Sequence, residues 1–340
     1  MFLMKNIKQR IKDRMLPIAM ISGASSYLIY HLLPEPVHCI GPFLDGLVSL
    51  MQPMLIFAML FLTFCSIEPR ELKPHRWHWW LLLIQGGSFS LLGLAAFLLM
   101  RLFPDSDVLI LIQSAMLCMI CPTATAAAVV TRKLGGDVPG ITTYIVLINM
   151  LAALLVPLVM PMVAPVAGMD FWMAFSMILA QVFPLLITPC LCAWLVRYLF
   201  PRLYRKILKV PDLAFNLWAV ALTLAIAVTT KSLVHSDMKL SLLLGMSLIS
   251  LVCCVFNFAS GRIIGWRYRP RTLRRRDKSE VLNDRDSRKV TAGQSLGQKN
   301  TVFAIWLGYT FLTPETAIIG GLYSIWHNVY NSWQLYRARK

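Results

Sequence analysis

Residues 295–312 read SLGQKNTVFAIWLGYTFL, a stretch that opens polar and ends as apolar as any segment of the chain. If a helix starts near Thr291 and rises about 1.5 Å per residue, Lys299 lies roughly 12 Å into a membrane span. A charge at that depth costs at least ~2.5 kcal/mol on insertion scales, so a lysine kept there marks a functional site. The bland alternative is a lysine that snorkels to the surface, which that depth disfavours. The residues around it, TAGQSLGQKNT (291–301), pack Gly293, Gly297 and several polar groups into half a span. A second stretch behaves alike: AMLCMICPTATAAAVVTRKLGGD (115–137) places Pro122 before Thr123 and Thr125. Pro, Gly and clustered hydroxyls or amides at mid-depth point to broken helices that line a binding site.

Composition sets the frame for these two stretches. The chain has 340 residues, 57% of them hydrophobic and 14% charged, with a mean hydropathy of +0.64. Soluble domains carry about 25% charged residues, so the composition indicates an all-α, polytopic membrane protein. The net charge of +17 would suit a nucleic-acid binder, but the basic residues sit in short loops between apolar runs, where they set orientation. No nucleic-acid partner is expected. The eight cysteines fall mostly within spans without metal-ligand spacing, so neither disulfides nor a metal site is expected. The basic N-terminal segment MFLMKNIKQRIKDRM (1–15) leads into an apolar run without a convincing small-residue cleavage site and reads as a retained first helix.

Apolar runs long enough to cross a ~30 Å hydrocarbon core lie near 16–34, 42–66, 77–103, 107–131, 138–165, 170–199, 212–232, 239–262, 291–312 and 314–335. That gives about ten transmembrane helices. With the N-terminus inside, all but four of the 33 Lys and Arg residues fall in cytoplasmic segments, eleven of them between Arg262 and Lys289. The exceptions are Arg101, Lys231 and Lys239 in outside loops, and Lys299. Both termini are therefore expected in the cytoplasm, and the basic loops on an anionic lipid leaflet. Five spans per half would make the halves inverted repeats, the geometry of many secondary transporters. The two polar breaks then occupy matching places, fourth of five in each half. Their half-helix N-termini expose free N–H groups suited to anions; the competing reading is a pair of packing kinks whose hydroxyls bond their own backbone. In KPHRWHWW (73–80), His75 and His78 read as surface residues of an interfacial belt. Met116, Met119 and Met150 read as core packing.

CPTATAAAVVTRKLGGDV (121–138) resembles the fourth-helix motif of the bile acid:sodium symporter family, which runs approximately C-P-G-G-T-A-S-N-V-V-T and then G-D-V. GQKNT (297–301) is similar to that family's ninth-helix G-M-Q-N-T or G-M-Q-N-S. IWHNVYNSW (325–333) is similar to its last-helix W-H-N-x-x-G-S, and Gln85 in LLLIQGGSF (81–89) matches a third-helix glutamine. The matches fall in order over nearly the whole chain. The resemblance implies broken, crossing helices 4 and 9. It implies a panel domain of residues 1–67 and 168–236, and a core domain of residues 68–167 and 237–340.

Carried over by position, the resemblance keeps the substrate-facing Thr125, Asn300, His327 and Asn328, with Thr123 beside them at the break. His327 could equally be hydrogen-bonded between helices. The sodium ligands are mostly lost: Ala127 and Ala128 replace a Ser-Asn pair, and Ile141 and Ile145 replace hydroxyls. Ser295 stands for a shared glutamate and Lys299 for a glutamine, while Gln85 stays. Hard cations need oxygen ligands, preferably a carboxylate, and every acidic residue lies at or near a span end.

The expected function is a secondary transporter of a small organic anion, working by alternating access in the bacterial inner (cytoplasmic) membrane without a cofactor. Lys299 would supply the charge that sodium supplies in the family, donating to Gln85, Ser295 and backbone carbonyls. A buried amine can also take up and release a proton, so transport would be uncoupled or proton-linked. Three other readings compete. An arsenite-type oxyanion efflux carrier would use Cys121, and a non-transporting receptor or scaffold would need no ion site. An integral membrane enzyme finds no support, since no nucleophile has a plausible base.

Overall fold

The computed structural model describes residues 15–34, 39–166, 168–210, 213–236, 238–268 and 278–338. The basic N-terminal segment up to Arg14 and the basic residues 269–277 lie outside the described residues. Thirteen helices are present among those described. They are α1 (Met15–Leu32), α2 (Gly41–Ser66), α3 (Arg76–Leu102), α4 (Asp107–Ile120), α5 (Ala127–Lys133), α6 (Val138–Val163) and α7 (Phe171–Leu199). They continue with α8 (Pro201–Lys209), α9 (Leu213–His235), α10 (Leu240–Arg267), α11 (Lys278–Gly297), α12 (Thr301–Phe311) and α13 (Pro314–Ala338).

Local chemistry starts and stops these helices. Ser106 caps α4 by accepting from the Val108 N–H at 3.2 Å, and Asp170 caps α7 by accepting from Met173 at 2.7 Å. Proline stands in the first turn of α2, α6 and α8, where its missing N–H costs nothing. Among the described residues, six helices are long and apolar enough to cross a membrane: α2, α3, α6, α7, α10 and, over Asn216–His235, α9. Their outward faces carry bare hydrophobic side chains, such as Leu83, Leu91, Leu244 and Leu248, each more than 60% exposed. A surface this apolar is stable only against lipid. The described residues are therefore those of a helical integral membrane protein.

The structure corrects several sequence-based expectations. The segment between the expected spans 239–262 and 291–312 is not all loop: α10 continues to Arg267 and α11 already starts at Lys278. The α11 sequence KSEVLNDRDSRK is rich in good helix formers, and α10 and α11 pack closely. A Cβ on Gly261 would come 2.3 Å from the Ala292 carbonyl oxygen, and one on Gly265 would come 2.4 Å from that of Arg288. The basic stretch after α7 forms a separate helix, α8, with no buried residue. Tyr204 on α8 donates to the Cys65 carbonyl at 2.9 Å, and Arg197 donates to the Ile67 carbonyl at 2.9 Å. His78 is fully buried, not at the surface. Its Nδ1 accepts from the His75 N–H at 2.8 Å and its Nε2 lies 3.0 Å from the Gly140 carbonyl. This pins the start of α3 to the start of α6. Met116 and Met119 are core residues, but Met150 is 51% exposed on the apolar outer face.

Candidate functional site

Two spans are interrupted where Pro, Gly and polar residues cluster. Between α4 and α5 the chain is extended around Pro122–Thr123, because proline denies the helix an N–H and disfavours helical backbone before it. Between α11 and α12 the helix stops after Gly297, and Asn300 starts the next by accepting the Phe303 N–H at 3.3 Å. The two interruptions meet. Thr123 and Lys299 form an antiparallel bridge, with Ala124 N–H donating to the Gln298 carbonyl at 2.8 Å and Asn300 N–H to the Pro122 carbonyl at 2.8 Å. Each break thus satisfies backbone groups the other leaves open, as a buried non-helical segment requires.

Side chains reinforce the crossing. Thr123 is fully buried and its hydroxyl donates to the Ser295 carbonyl at 2.5 Å. Gln85, on α3, donates to the Cys121 carbonyl at 2.9 Å and the Ile120 carbonyl at 3.4 Å. Its own oxygen accepts from Tyr144 on α6 at 2.8 Å. Tyr323 on α13 donates to the Gly297 carbonyl at 2.8 Å and receives Asn257 of α10 at 3.3 Å.

Lys299 sits inside this frame at 1% exposure, so it does not snorkel. Its Nζ donates to the Met119 carbonyl at 3.2 Å, in the last turn of α4. Of the partners expected from sequence, only a backbone carbonyl is found. Gln85 is taken up by the carbonyls of Ile120 and Cys121, and the Ser295 hydroxyl, though buried, has no hydrogen-bond partner. The thiols of Cys121, Cys118 and Cys253 act electrostatically on Lys299, all three buried where α4 packs against α10. Electrostatically, the C-terminal ends of α4 and α11 both finish at the crossing. Helix C-termini carry partial negative charge, and a cation at one is worth up to about 2 kcal/mol in partly buried geometries. The N-termini of α5 and α12, which carry the opposite sign, start at the same place.

The remaining candidates are placed as follows. Thr125 is half-buried, two residues beyond the bridge. Asn300 is 7% exposed and is the α12 cap. His327 is 5% exposed and its Nδ1 has no partner. Asn328 is half-buried and donates to the Ser324 carbonyl on its own helix at 2.7 Å. Ala127 begins α5 and is fully buried, Ala128 is half-buried, and Ile141 and Ile145 are fully buried on α6. These four offer only apolar side-chain surface. Sequence reasoning overlooked Tyr144 and Tyr323. The available signal was a phenol within an apolar span, whose O–H must find a partner when buried.

Lipid-facing helices around a buried, polar crossing of two broken helices define the class as a polytopic membrane transporter. Residues 28–335 match the SBF-like CPA transporter family, and the chain belongs to that family. This agrees with the likeness to bile acid:sodium symporters carried by the fourth-, ninth- and last-helix motifs. Comparison with curated proteins gave no match.

Proposed function

We propose that the protein carries a small organic anion by alternating access without needing sodium, the ammonium of Lys299 acting as a built-in cation. The observation that carries this reading is the placement of Lys299, 1% exposed and 3.2 Å from the Met119 carbonyl at the α4 C-terminus. In a sodium-coupled relative a bound ion would neutralise the two helix C-termini; here a covalently attached charge does so. The losses at Ala127, Ala128, Ile141 and Ile145, and Ser295 in place of a carboxylate, remove the oxygen ligands a hard cation requires. The carrier is either uncoupled or linked to protons through Lys299.

In this reading the substrate lies where the α5 and α12 N-termini offer N–H groups, contacted by Thr125, Asn300, Asn328 and His327, with Thr123 lining the crossing. The ten spans form two inverted five-helix repeats. Residues 1–67 and 168–236 make the panel and residues 68–167 and 237–340 the core that moves against it. The protein lies in a bacterial inner membrane with both termini in the cytoplasm, its basic loops on anionic lipid. A thermal-shift screen of organic anions on the purified protein, with and without sodium, tests this. Stabilisation by an anion in sodium-free buffer is expected, and an effect seen only with sodium contradicts it.

The buried thiols of Cys121, Cys118 and Cys253, which act electrostatically on Lys299, favour a second reading, a carrier of a thiol-seeking oxyanion such as arsenite. Arsenite resistance that depends on Cys121 would support it.

A further inference from the structure

The seam between α11 and α13 holds polar groups that the crossing does not use. Two bonds set how the helices face each other: Tyr323 to the Gly297 carbonyl at 2.8 Å, and Gln294 Nε2 to Asn331 Oδ1 at 3.0 Å. Gln334 lies three residues beyond Asn331, on the same face of α13. Arg262 reaches this end of the seam from α10. Its stem passes over Gly293, where a Cβ would stand 2.6 Å from Arg262 Cγ. The half-buried guanidinium donates to Gln334 Oε1 at 3.2 Å and to the Tyr330 hydroxyl at 3.4 Å. Both acceptors are neutral and both bonds are long. Among the described residues no carboxylate pairs with it.

Because arginine only donates, its bond fixes the Gln334 amide with the nitrogen turned away. Gln334 Nε2 is then a buried donor without an acceptor. With Asn331 Oδ1 accepting from Gln294, so is Asn331 Nδ2, while Gln294 Oε1 is an open acceptor beside it. Gln334 and Asn331 are 8% and 4% exposed. Such groups are rare in a settled interior and call for an explanation. A guanidinium with N–H groups to spare, beside two open amide donors, complements a carboxylate, which is planar, negative and accepts only. The low exposure of both amides favours a small anion over a lipid headgroup.

We propose that Arg262, Asn331 and Gln334 form a second anion site, at the end of the seam where α10 and α13 finish, which holds the carboxylate of the transported anion on its way to or from the crossing. This rests on the reading of the protein as an organic-anion carrier. It places a waiting position on the cytoplasmic side, where the basic loops already draw anions in.

The test is thermal unfolding of the full-length purified protein in neutral detergent. Potassium benzoate and potassium succinate are titrated against potassium chloride of equal ionic strength, with phosphatidylglycerol in mixed micelles as the lipid arm. The wild-type midpoint should rise saturably with carboxylate, and Arg262→Gln should raise the half-saturating concentration about tenfold or more. Gln294→Leu combined with Asn331→Leu replaces a bonded pair by apolar groups, a change that tends to preserve the fold, and should weaken the response similarly. Asn300→Ala acts at the crossing and should leave the Arg262-dependent response in place. A carboxylate response unchanged in both seam variants overturns the proposal. So does a response lost in Asn300→Ala but kept in Arg262→Gln, which leaves the crossing site standing. An Arg262-dependent response to the lipid alone, or none to either carboxylate, also overturns it.

Discussion

Lys299 is a buried lysine that donates to the Met119 carbonyl, and the proposed function rests on it. Its ammonium answers the partial negative charge at the end of α4 and fills a space that a smaller residue would leave as a cavity. Lys299→Ala should therefore abolish transport and leave the Met119 carbonyl without its donor. Lys299→Gln keeps a donor but no charge, so it should recover folding, read from the unfolding midpoint, without recovering uptake. Asn300 works at the same scale. Asn300→Ala should weaken anion binding by roughly 1.5–3 kcal/mol, the worth of one hydrogen bond to a charged group, as measured by a binding isotherm. Sequence reasoning could find Lys299 because a charge within an apolar run is conspicuous. It could not find the partners. Which carbonyl takes the ammonium, and that Gln85 instead reaches Ile120 and Cys121, depends on how α3, α4 and the ninth-span break pack.

At the scale of elements, the two breaks were legible from Pro122, Gly297 and the hydroxyls and amides beside them, because each is a local refusal to continue a helix. That the two breaks cross came only with the family resemblance, and the pairing of Thr123 with Lys299 only with the structure, since local sequence says nothing of what a break meets across the bundle. The early start of α11 was missed for the opposite reason: a hydropathy reading sees only the apolar part of a helix, and KSEVLNDRDSRK is polar. The contact that holds α11 is steric and testable. Gly261→Ala pushes a methyl group to within 2.3 Å of the Ala292 carbonyl oxygen, and backbone cannot swing aside. It should cost ~1–3 kcal/mol, the usual range for overpacking, seen as a lower unfolding midpoint. Gly87→Ala, with nothing within 4 Å of its Cβ position, should leave the midpoint near that of the wild type.

Across the whole molecule, two distributions matter: apolar side chains on the outer faces and basic residues gathered in alternate segments between the spans. If the basic segments lie inside, single cysteines introduced at 269–277 should react with an impermeant thiol reagent only in inside-out vesicles, and labelling from outside would overturn the proposed orientation. Membership of the SBF-like CPA transporter family makes the protein a transporter, and in the proposed function Lys299 sets whether it needs sodium. The measurement that bears most directly on this is binding of a stabilising organic anion in sodium-free and sodium-containing buffer of equal ionic strength. With the cation supplied by Lys299, the two isotherms should coincide. A strong, saturable sodium requirement for binding would contradict the account.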